Sequence, residues 1–105
     1  MNLTKKYRFY AGYGLFLDYS TVKLPSIEAE TQRILDNIEA ILMEARFSMR
    51  HVVKTTVFVD DIKNFDAINA VYAKAFKIDP PARSFVQVAA LPKGAHLEIE
   101  VIARR

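Results

Sequence analysis

Two charged residues near the end of the chain have the types and spacing to act together on a small anionic molecule. Arg83 opens an apolar, strand-like segment, and Glu98 lies in the next such segment, beyond a Pro/Gly turn over residues 92–94. A guanidinium offers a planar fork of donors that can bind a carboxylate through two hydrogen bonds. If the turn folds the two strands back together, Arg83 can hold a carboxylated molecule while Glu98 acts on it.

Each candidate residue also has an ordinary structural explanation. Arg83 could be a surface arginine at a strand end, and Glu98 could lie with Glu100 on a solvated edge. Asn69 could simply cap or bridge within a helix. The residues alone leave these alternatives open.

The remaining reactive side chains support neither metal nor covalent chemistry. The sequence contains no cysteine, which excludes a disulfide, a thiol nucleophile and a zinc–thiolate site. The two histidines, His51 and His96, lie far apart without ligand spacing around them. Ser84 has no histidine or lysine near it in sequence that could activate it as a nucleophile. We therefore expect no metal site.

Composition indicates one soluble domain, and its net positive charge favours anionic small molecules over cations. The chain has 105 residues, near the usual size of one domain, and we take residues 1–105 as a single unit. The net charge is +3, and Lys and Arg are scattered rather than clustered into the basic stripe that nucleic-acid binding needs. No apolar run approaches the roughly 20 residues of a membrane span, and no signal-type apolar core follows the N-terminal lysines. We expect a cytoplasmic protein without a nucleic-acid or membrane partner.

Hydrophobic periodicity predicts the elements that must position the candidate residues. Apolar residues at three- and four-residue spacing indicate two amphipathic helices, and Phe65 and Tyr72 belong to the predicted buried stripe of the second helix. β-Branched residues dominate the strand-like segments. The predicted elements are a strand over 7–16, a helix from the N-cap Ser26 to about Arg46, a strand over 51–59, a helix capped by Asn64 and stopped before Pro80, and two antiparallel strands over 82–89 and 97–103. In the strand over 51–59, one face is predicted to carry Val53, Thr55, Val57 and Val59.

The predicted sheet has more apolar residues than two helices on one face can cover. Because side chains alternate between the faces of a strand, the helices cannot cover all of Phe58, Val86, Val88 and Ile102. Hydrophobic residues make up 51% of the chain, which is high for a small monomer. We expect the helices on one face of a single mixed sheet and other subunits of a closed homo-oligomer on the other face.

Four long segments of the sequence carry a family pattern in the same order along the chain. They are I-E-A-E-T-Q-R-I-L-D-N-I-E-A-I-L over 27–42, H-V-V-K-T-T-V-F-V-D-D over 51–61, N-A-V-Y-A-K-A-F over 69–76 and P-A-R-S-F-V-Q-V-A-A-L-P-K-G-A-H-L-E-I-E over 81–100. Together they cover about three-quarters of the chain and resemble the reactive intermediate deaminase family, RidA, also called YjgF or L-PSP endoribonuclease-like. The resemblance implies an α+β, chorismate-mutase-like fold with a single mixed β-sheet and two long helices on one face. It also implies a homotrimer with a central barrel of sheets and ligand clefts between neighbouring subunits.

The resemblance further implies a reaction and a set of site residues. Family members deaminate reactive 2-imino and enamine acids by hydrolysis to 2-oxo acids and ammonia, without a cofactor. By position, Arg83 matches the arginine that binds the substrate carboxylate, and Glu98 matches the carboxylate that positions the attacking water. Asn69 matches a polar residue near the cleft, and Gly12 aligns with a glycine whose backbone lies against the ligand. The expected partner is a small carboxylated imine, enamine or 2-oxo acid.

Several positions around the cleft depart from the family pattern. Phe85 lies two residues after Arg83 on the same strand face, where many members have a small residue, so its ring is expected to contact the ligand and reshape the pocket. Ala11-Gly12-Tyr13 replaces the usual S-G-Q, and the family's first strand, with its G-P-Y-S-Q-A motif, has no counterpart in this sequence. These departures favour, as an alternative, a weak or inactive member that binds small carboxylated metabolites. An endoribonuclease or translation inhibitor is a third alternative. The sequence supports it poorly, because it has neither a histidine pair for acid–base cleavage nor a basic stripe.

One further departure concerns stability. Arg46 replaces the glycine that normally ends the first long helix of the family. If this position is left-handed, a non-glycine residue destabilises it by about 1 kcal/mol.

Overall fold

A computed structural model describes residues 6–10, 24 and 26–104, which form one mixed sheet with two helices packed on it. The helices are α1 (Ile27–Glu44) and α2 (Phe65–Ala75), and the strands are β1 (Lys6–Tyr10), β2 (Val52–Val59), β3 (Ala82–Gln87) and β4 (Leu97–Arg104). Short 3-10 turns over Met49–His51, Ile62–Asn64 and Pro92–Gly94 precede β2, α2 and β4. The predicted order of helices and strands is therefore confirmed. Residues 11–16 of the predicted first strand lie outside the described residues.

The order of strands across the sheet differs from the prediction. The order is β1-β4-β2-β3: β2 pairs in parallel with β3 and antiparallel with β4, which also pairs antiparallel with β1. The prediction that β3 and β4 are antiparallel neighbours is therefore wrong. The connection over residues 88–96 is longer than the roughly two to five residues of a hairpin loop, and it carries the chain past β2. Strand β4 thereby lies in the middle of the sheet. Its apolar side chains Leu97, Ile99 and Val101 are at most 1% exposed.

Helix α1 begins and ends as the sequence predicts. Ser26 has an extended backbone, and its side chain accepts a 3.1 Å hydrogen bond from the amide three residues on. At the other end, Arg46 is left-handed with φ of 63°. The amides of Arg46 and Phe47 donate to the carbonyls of Met43 and Leu42 at 3.0 and 2.7 Å, which is a Schellman motif. Arg46 thus occupies a position that favours glycine.

The start of α2 differs from its prediction in one respect. Asn64 occupies the N-cap position, but its side chain makes no capping hydrogen bond, so its predicted role is wrong. An N-cap side chain normally acts from an extended backbone, whereas Asn64 has φ of −80° and ψ of 2° because a 3-10 turn leads directly into the helix. Asp61 caps that turn instead, and its carboxylate accepts a 2.9 Å hydrogen bond from the amide of Lys63.

The hydrophobic core lies between the helices and one face of the sheet. It combines one side of each helix with alternate residues of β2 and β4: Ile34, Leu35, Ile38, Leu42, Ile68, Tyr72, Val57, Val59, Leu97, Ile99, Val101 and Ala103. The predicted inward face of β2 is confirmed except at Val53, which is 46% exposed while Val52 is buried. The pairing of β2 with β4 shifts register between Val52 and Lys54, and such an irregularity reverses the alternation of faces.

The other face of the sheet carries no helix in the part of the chain that the structure describes. Phe58, Val88 and Ile102 are only half-buried, and Val86 is 40% exposed. The helices therefore cover one face, as predicted for this α+β arrangement. The packing of other subunits on the second face stays a prediction. No described helix has the length and apolar character needed to cross a membrane.

Candidate functional site

Arg83 lies on the edge strand β3, and its side chain turns toward α2. Its register partner on β2 is Thr55, which is fully buried on the helix-covered face of the sheet. Paired residues on neighbouring strands share a face. The guanidinium Nη1 of Arg83 donates a 2.8 Å hydrogen bond to Oδ1 of Asn69 on α2. The structure thus brings two of the predicted site residues into direct contact.

Three aromatic rings surround the Arg83 guanidinium. Its central carbon lies 4.6 Å from the ring centre of Tyr72, 5.5 Å from that of Phe65 and 5.7 Å from that of Phe85. Such contacts are attractive because the face of an aromatic ring carries partial negative charge. Within the described residues, Asn69 is the hydrogen-bond partner of the guanidinium. The rings and Asn69 therefore orient the guanidinium while other N–H groups stay available to a ligand.

A buried hydrogen bond holds the Tyr72 ring beneath Arg83. The Tyr72 hydroxyl lies 2.7 Å from Oγ1 of Thr55, and the two residues are 5% and 0% exposed. Burial raises the pKa of Tyr72 above its ordinary value of 10.0, against the opposing effects of the Thr55 hydrogen bond and the Arg83 charge. The phenol is therefore neutral at physiological pH. Its ring lies against the Arg83 guanidinium.

A cavity of about 460 Å³ opens beside Arg83, between α2 and the start of β3. Arg83 and Asn69 form its polar wall, Tyr72 also lines it, and its apolar wall consists of Ala73, Phe76, Pro80 and Pro81. Cavities of this size with a few convergent polar groups are typical of small-molecule sites. The arrangement can bind a carboxylate at one side and an apolar group at the other.

Glu98 lies on the opposite face of the sheet from Arg83. Its register partner on β2 is Phe58, and its neighbours Leu97 and Ile99 point into the core. Strand β2 also separates β4 from β3, which adds a lateral offset of about 10 Å at the usual strand spacing. Within one chain, the prediction that Arg83 and Glu98 lie side by side is therefore wrong, because it assumed that β3 and β4 are neighbours.

The other predicted ligand contacts are Phe85 and Gly12. Phe85 faces α2 beside Arg83, as its spacing predicts, and its half-buried ring meets Phe65 edge to face with centroids 4.8 Å apart. Gly12 lies outside the described residues, as do Ala11 and Tyr13. The ligand contacts of Phe85 and Gly12 stay predictions.

Sequence reasoning missed the contacts that Phe65 and Tyr72 make with Arg83. It assigned both rings to the buried stripe of α2, and Tyr72 does lie in the core. The available signal was their spacing from Asn69, four residues before it and three after it, which places all three on one side of the helix.

The two histidines make contacts away from Arg83. His96 Nδ1 lies 3.0 Å from Oδ2 of Asp60, and His51 Nδ1 accepts a 2.9 Å hydrogen bond from the amide of Ser48. Across the described ranges, no group of three or more His, Cys, Asp or Glu side chains is arranged to hold a metal ion.

The sequence matches a known family over almost its whole length. Residues 5–105 match the model of the family described as Endoribonuclease L-PSP. The chain belongs to this RidA/YjgF L-PSP family. The mixed sheet with two helices is the α+β fold of solved YjgF-family structures.

Named relatives of this RidA/YjgF-family chain include an insect protein and two bacterial structures. RutC family protein UK114 of Drosophila melanogaster is 46% identical over 93 residues, which cover 85% of this chain and 66% of that protein. The crystal structure of E. coli YjgF matches at a TM-score of 0.87 and 35% identity, over 100% of this chain and 84% of that chain. The crystal structure of E. coli TdcF with bound serine matches at a TM-score of 0.87 and 32% identity, with the same coverage. The chain spans 62% and 54% of two other curated relatives, so it corresponds to part of their length.

Proposed function

We propose that this RidA/YjgF-family protein hydrolyses 2-imino acids and their enamine tautomers to 2-oxo acids and ammonia. The observation that carries the proposal is Arg83, whose guanidinium is oriented by Asn69 and Tyr72 at the wall of a small-molecule cavity. The related TdcF structure contains bound serine. Serine has a carboxylate next to a carbon that bears nitrogen, and a 2-imino acid shares this arrangement.

The reaction replaces the C=N double bond of the imine with the C=O double bond of a 2-oxo acid. The oxygen of water adds to the C=N carbon while one proton passes to nitrogen, which gives a tetrahedral carbinolamine. The C–N bond then breaks and the hydroxyl proton passes to the departing nitrogen. The products are ammonia and a 2-oxo acid. No electrons pass to an acceptor, so binding, orientation and proton transfer are sufficient.

We assign to Arg83 the role of binding the substrate carboxylate. Two parallel hydrogen bonds from a guanidinium fix a carboxylate in both position and orientation. The positive charge also withdraws electron density from the adjacent imine carbon, which makes that carbon more susceptible to water. Because Asn69 and the Tyr72 ring already orient the guanidinium, less conformational freedom is lost when the substrate binds.

The attacking water is assigned to Glu98 of a neighbouring subunit in a homotrimer. Glu98 and Arg83 of one chain lie on opposite faces of the sheet, so one small substrate cannot contact both. The helix-free face that carries Glu98 also carries the partly exposed side chains of Phe58 and Val86, which supports subunit packing there. The backbone at Gly12 is assigned to the same cleft, and the proposed setting is the cytoplasm.

Ammonia release from freshly generated 2-iminobutanoate tests the proposal. The wild-type protein is expected to accelerate release over the buffer rate, and Arg83→Ala is expected to abolish the acceleration. Arg50→Ala is the matched control, since it removes an exposed arginine outside the Arg83 cavity, and it is expected to keep full activity. A wild-type rate equal to that of buffer would refute the proposed reaction.

A second candidate function is the binding of carboxylated metabolites without turnover. It is favoured by the position of Glu98, which faces away from Arg83 within the chain, and by the Phe85 ring beside the guanidinium. Calorimetric titration with 2-oxobutanoate separates the two functions. Binding that depends on Arg83, in a protein that leaves imine hydrolysis at the buffer rate, would establish the binding function instead.

A further inference from the structure

The groove between α2 and β3 has three zones along its length. Strand β3 runs parallel to β2, and α2 runs in the opposite direction between them in the chain. The start of β3 therefore lies beside the end of α2, and later residues of β3 lie beside earlier turns of the helix. Phe85 meets Phe65 at one end, Arg83 meets Asn69 in the middle, and the chain before β3 passes Ala73 at the other end. A carboxylate at Arg83 would therefore have an aromatic zone on one side and an apolar cavity on the other.

The aromatic zone is closed. The Phe65 and Phe85 rings meet edge to face with centroids 4.8 Å apart, and both lie within 5.7 Å of the Arg83 guanidinium carbon. The two rings therefore occupy this side of the guanidinium. A molecule held at Arg83 would meet this ring pair if it extended in this direction.

The opposite zone is open and apolar. The cavity of about 460 Å³ continues from Arg83 past Ala73, Phe76, Pro80 and Pro81. Arg83 is the charged residue among those that line it. We propose that this cavity receives the apolar side chain of the substrate, so that the preferred substrates derive from larger apolar amino acids such as leucine rather than from alanine. This inference rests on the proposed function, because it takes Arg83 as the carboxylate anchor.

The expected preference follows from the apolar wall. A single methylene in a hydrophobic pocket changes recognition by about ten-fold or more. The isobutyl group of 4-methyl-2-oxopentanoate has three more carbons than the methyl group of pyruvate. Because the cavity is open on one side, it covers only part of this group, which lowers the expected preference. We therefore expect 4-methyl-2-oxopentanoate to bind about ten-fold more tightly than pyruvate.

Calorimetric titration with the two 2-oxo acids measures this preference without any turnover. Wild-type protein is expected to show the ten-fold ratio, and Arg83→Ala is expected to weaken both ligands. A parallel assay follows ammonia release from the imines that an L-amino acid oxidase generates from leucine and from alanine. Equal affinity for the two 2-oxo acids would overturn the inference.

A matched pair of alanine substitutions on α2 locates the side-chain pocket. Ala73→Leu places extra carbons in the cavity, whereas Ala70→Leu adds the same carbons on an exposed position outside its lining. Both alanines are exposed, so both variants are expected to fold. Ala73→Leu should weaken 4-methyl-2-oxopentanoate about ten-fold and change pyruvate by less than about two-fold, and Ala70→Leu should change neither. An equal loss for both ligands in Ala73→Leu would contradict the assignment.

The outcomes distinguish this inference from the proposed reaction. If the leucine-derived ligand is preferred through Arg83 but no imine hydrolysis is accelerated, the reaction fails and the cavity assignment stands. If imine hydrolysis is accelerated equally for both imines and the two 2-oxo acids bind equally, the reaction stands and the cavity assignment fails.

Discussion

The hydrogen bond between Tyr72 and Thr55 should contribute a measurable coupling energy to stability. The two hydroxyls are 2.7 Å apart, and the residues are 5% and 0% exposed. Tyr72→Phe removes one hydroxyl and leaves that of Thr55 buried without its partner. Such a group destabilises a protein by about 1–3 kcal/mol, and we expect about 2 kcal/mol because Thr55 is completely excluded from solvent.

The reciprocal substitution should have a smaller effect. In Thr55→Val the Tyr72 hydroxyl loses its partner, but Tyr72 lines the cavity beside Arg83 and is 5% exposed, against 0% for Thr55. A small shift of its ring would therefore bring the hydroxyl to water. We expect a loss of about 1 kcal/mol. The double substitution replaces both hydroxyls with apolar groups and leaves no orphaned partner. Its expected loss is about 1 kcal/mol, so the two single effects exceed the double effect by about 2 kcal/mol.

Urea unfolding of the four proteins measures this cycle through the extrapolated free energies. All four must be compared at one protomer concentration, because the stability of the proposed homotrimer would depend on it. Agreement between the double effect and the sum of the single effects, within about 0.5 kcal/mol, would refute the claim that this bond braces the ring beneath Arg83.

Three further predictions concern the rest of the fold. Arg46→Gly should raise the unfolding free energy by about 0.5–1 kcal/mol, because glycine adopts the observed φ of 63° without steric conflict; a lower urea midpoint would contradict this. Burial raises the pKa of Glu30 above its ordinary value of 4.5, with His96 opposing and Asp60 adding to the shift, so the stability associated with protonated Glu30 is lost as pH rises through the raised value. Glu30→Gln should therefore exceed the wild type in stability at pH 7 and lose this advantage below pH 4.5; a pH-independent difference in urea midpoint would show otherwise. Phe58→Asp, on the helix-free face, should convert a trimer to monomers in sedimentation velocity. If the wild type sediments as a trimer and the variant does too, packing through this face is contradicted.

Local signals in the sequence predicted the elements and their ends. The cap at Ser26 and the left-handed backbone at Arg46 depend on residues within one helical turn, so the sequence around them was sufficient. Asn64 was predicted as a cap for the same reason, but the 3-10 turn before it gave it a backbone unsuited to that role. An amide side chain alone does not reveal the backbone angles on which capping depends.

Pairing between strands was less accessible to sequence analysis. Alternation shows which residues of one strand share a face, yet it does not name the neighbouring strand. Alternation also gives no sign of the register shift that buries Val52 in place of Val53. Because β3 and β4 were taken as neighbours, Glu98 was placed beside Arg83, although β2 lies between their strands.

The anchor of the candidate site was more predictable than its surroundings. Arg83, Asn69 and Phe85 were identified from the sequence, and the structure groups them along α2 and β3. Tyr72 and Phe65 were assigned only to packing, because aromatic residues on a helix stripe usually serve the core. Their contact with the guanidinium depends on the parallel pairing of β3 with β2, which the sequence did not reveal.

The most direct test of the account mixes two inactive variants. If each site combines Arg83 of one subunit with Glu98 of another, Arg83→Ala and Glu98→Ala should each fail to accelerate 2-iminobutanoate hydrolysis. Unfolding and refolding them together at equal amounts should then restore about a quarter of wild-type activity, since random assembly of a symmetric oligomer gives that share of intact pairs. Mixed protein as inactive as either variant alone, alongside an active refolded wild type, would contradict a site shared between subunits.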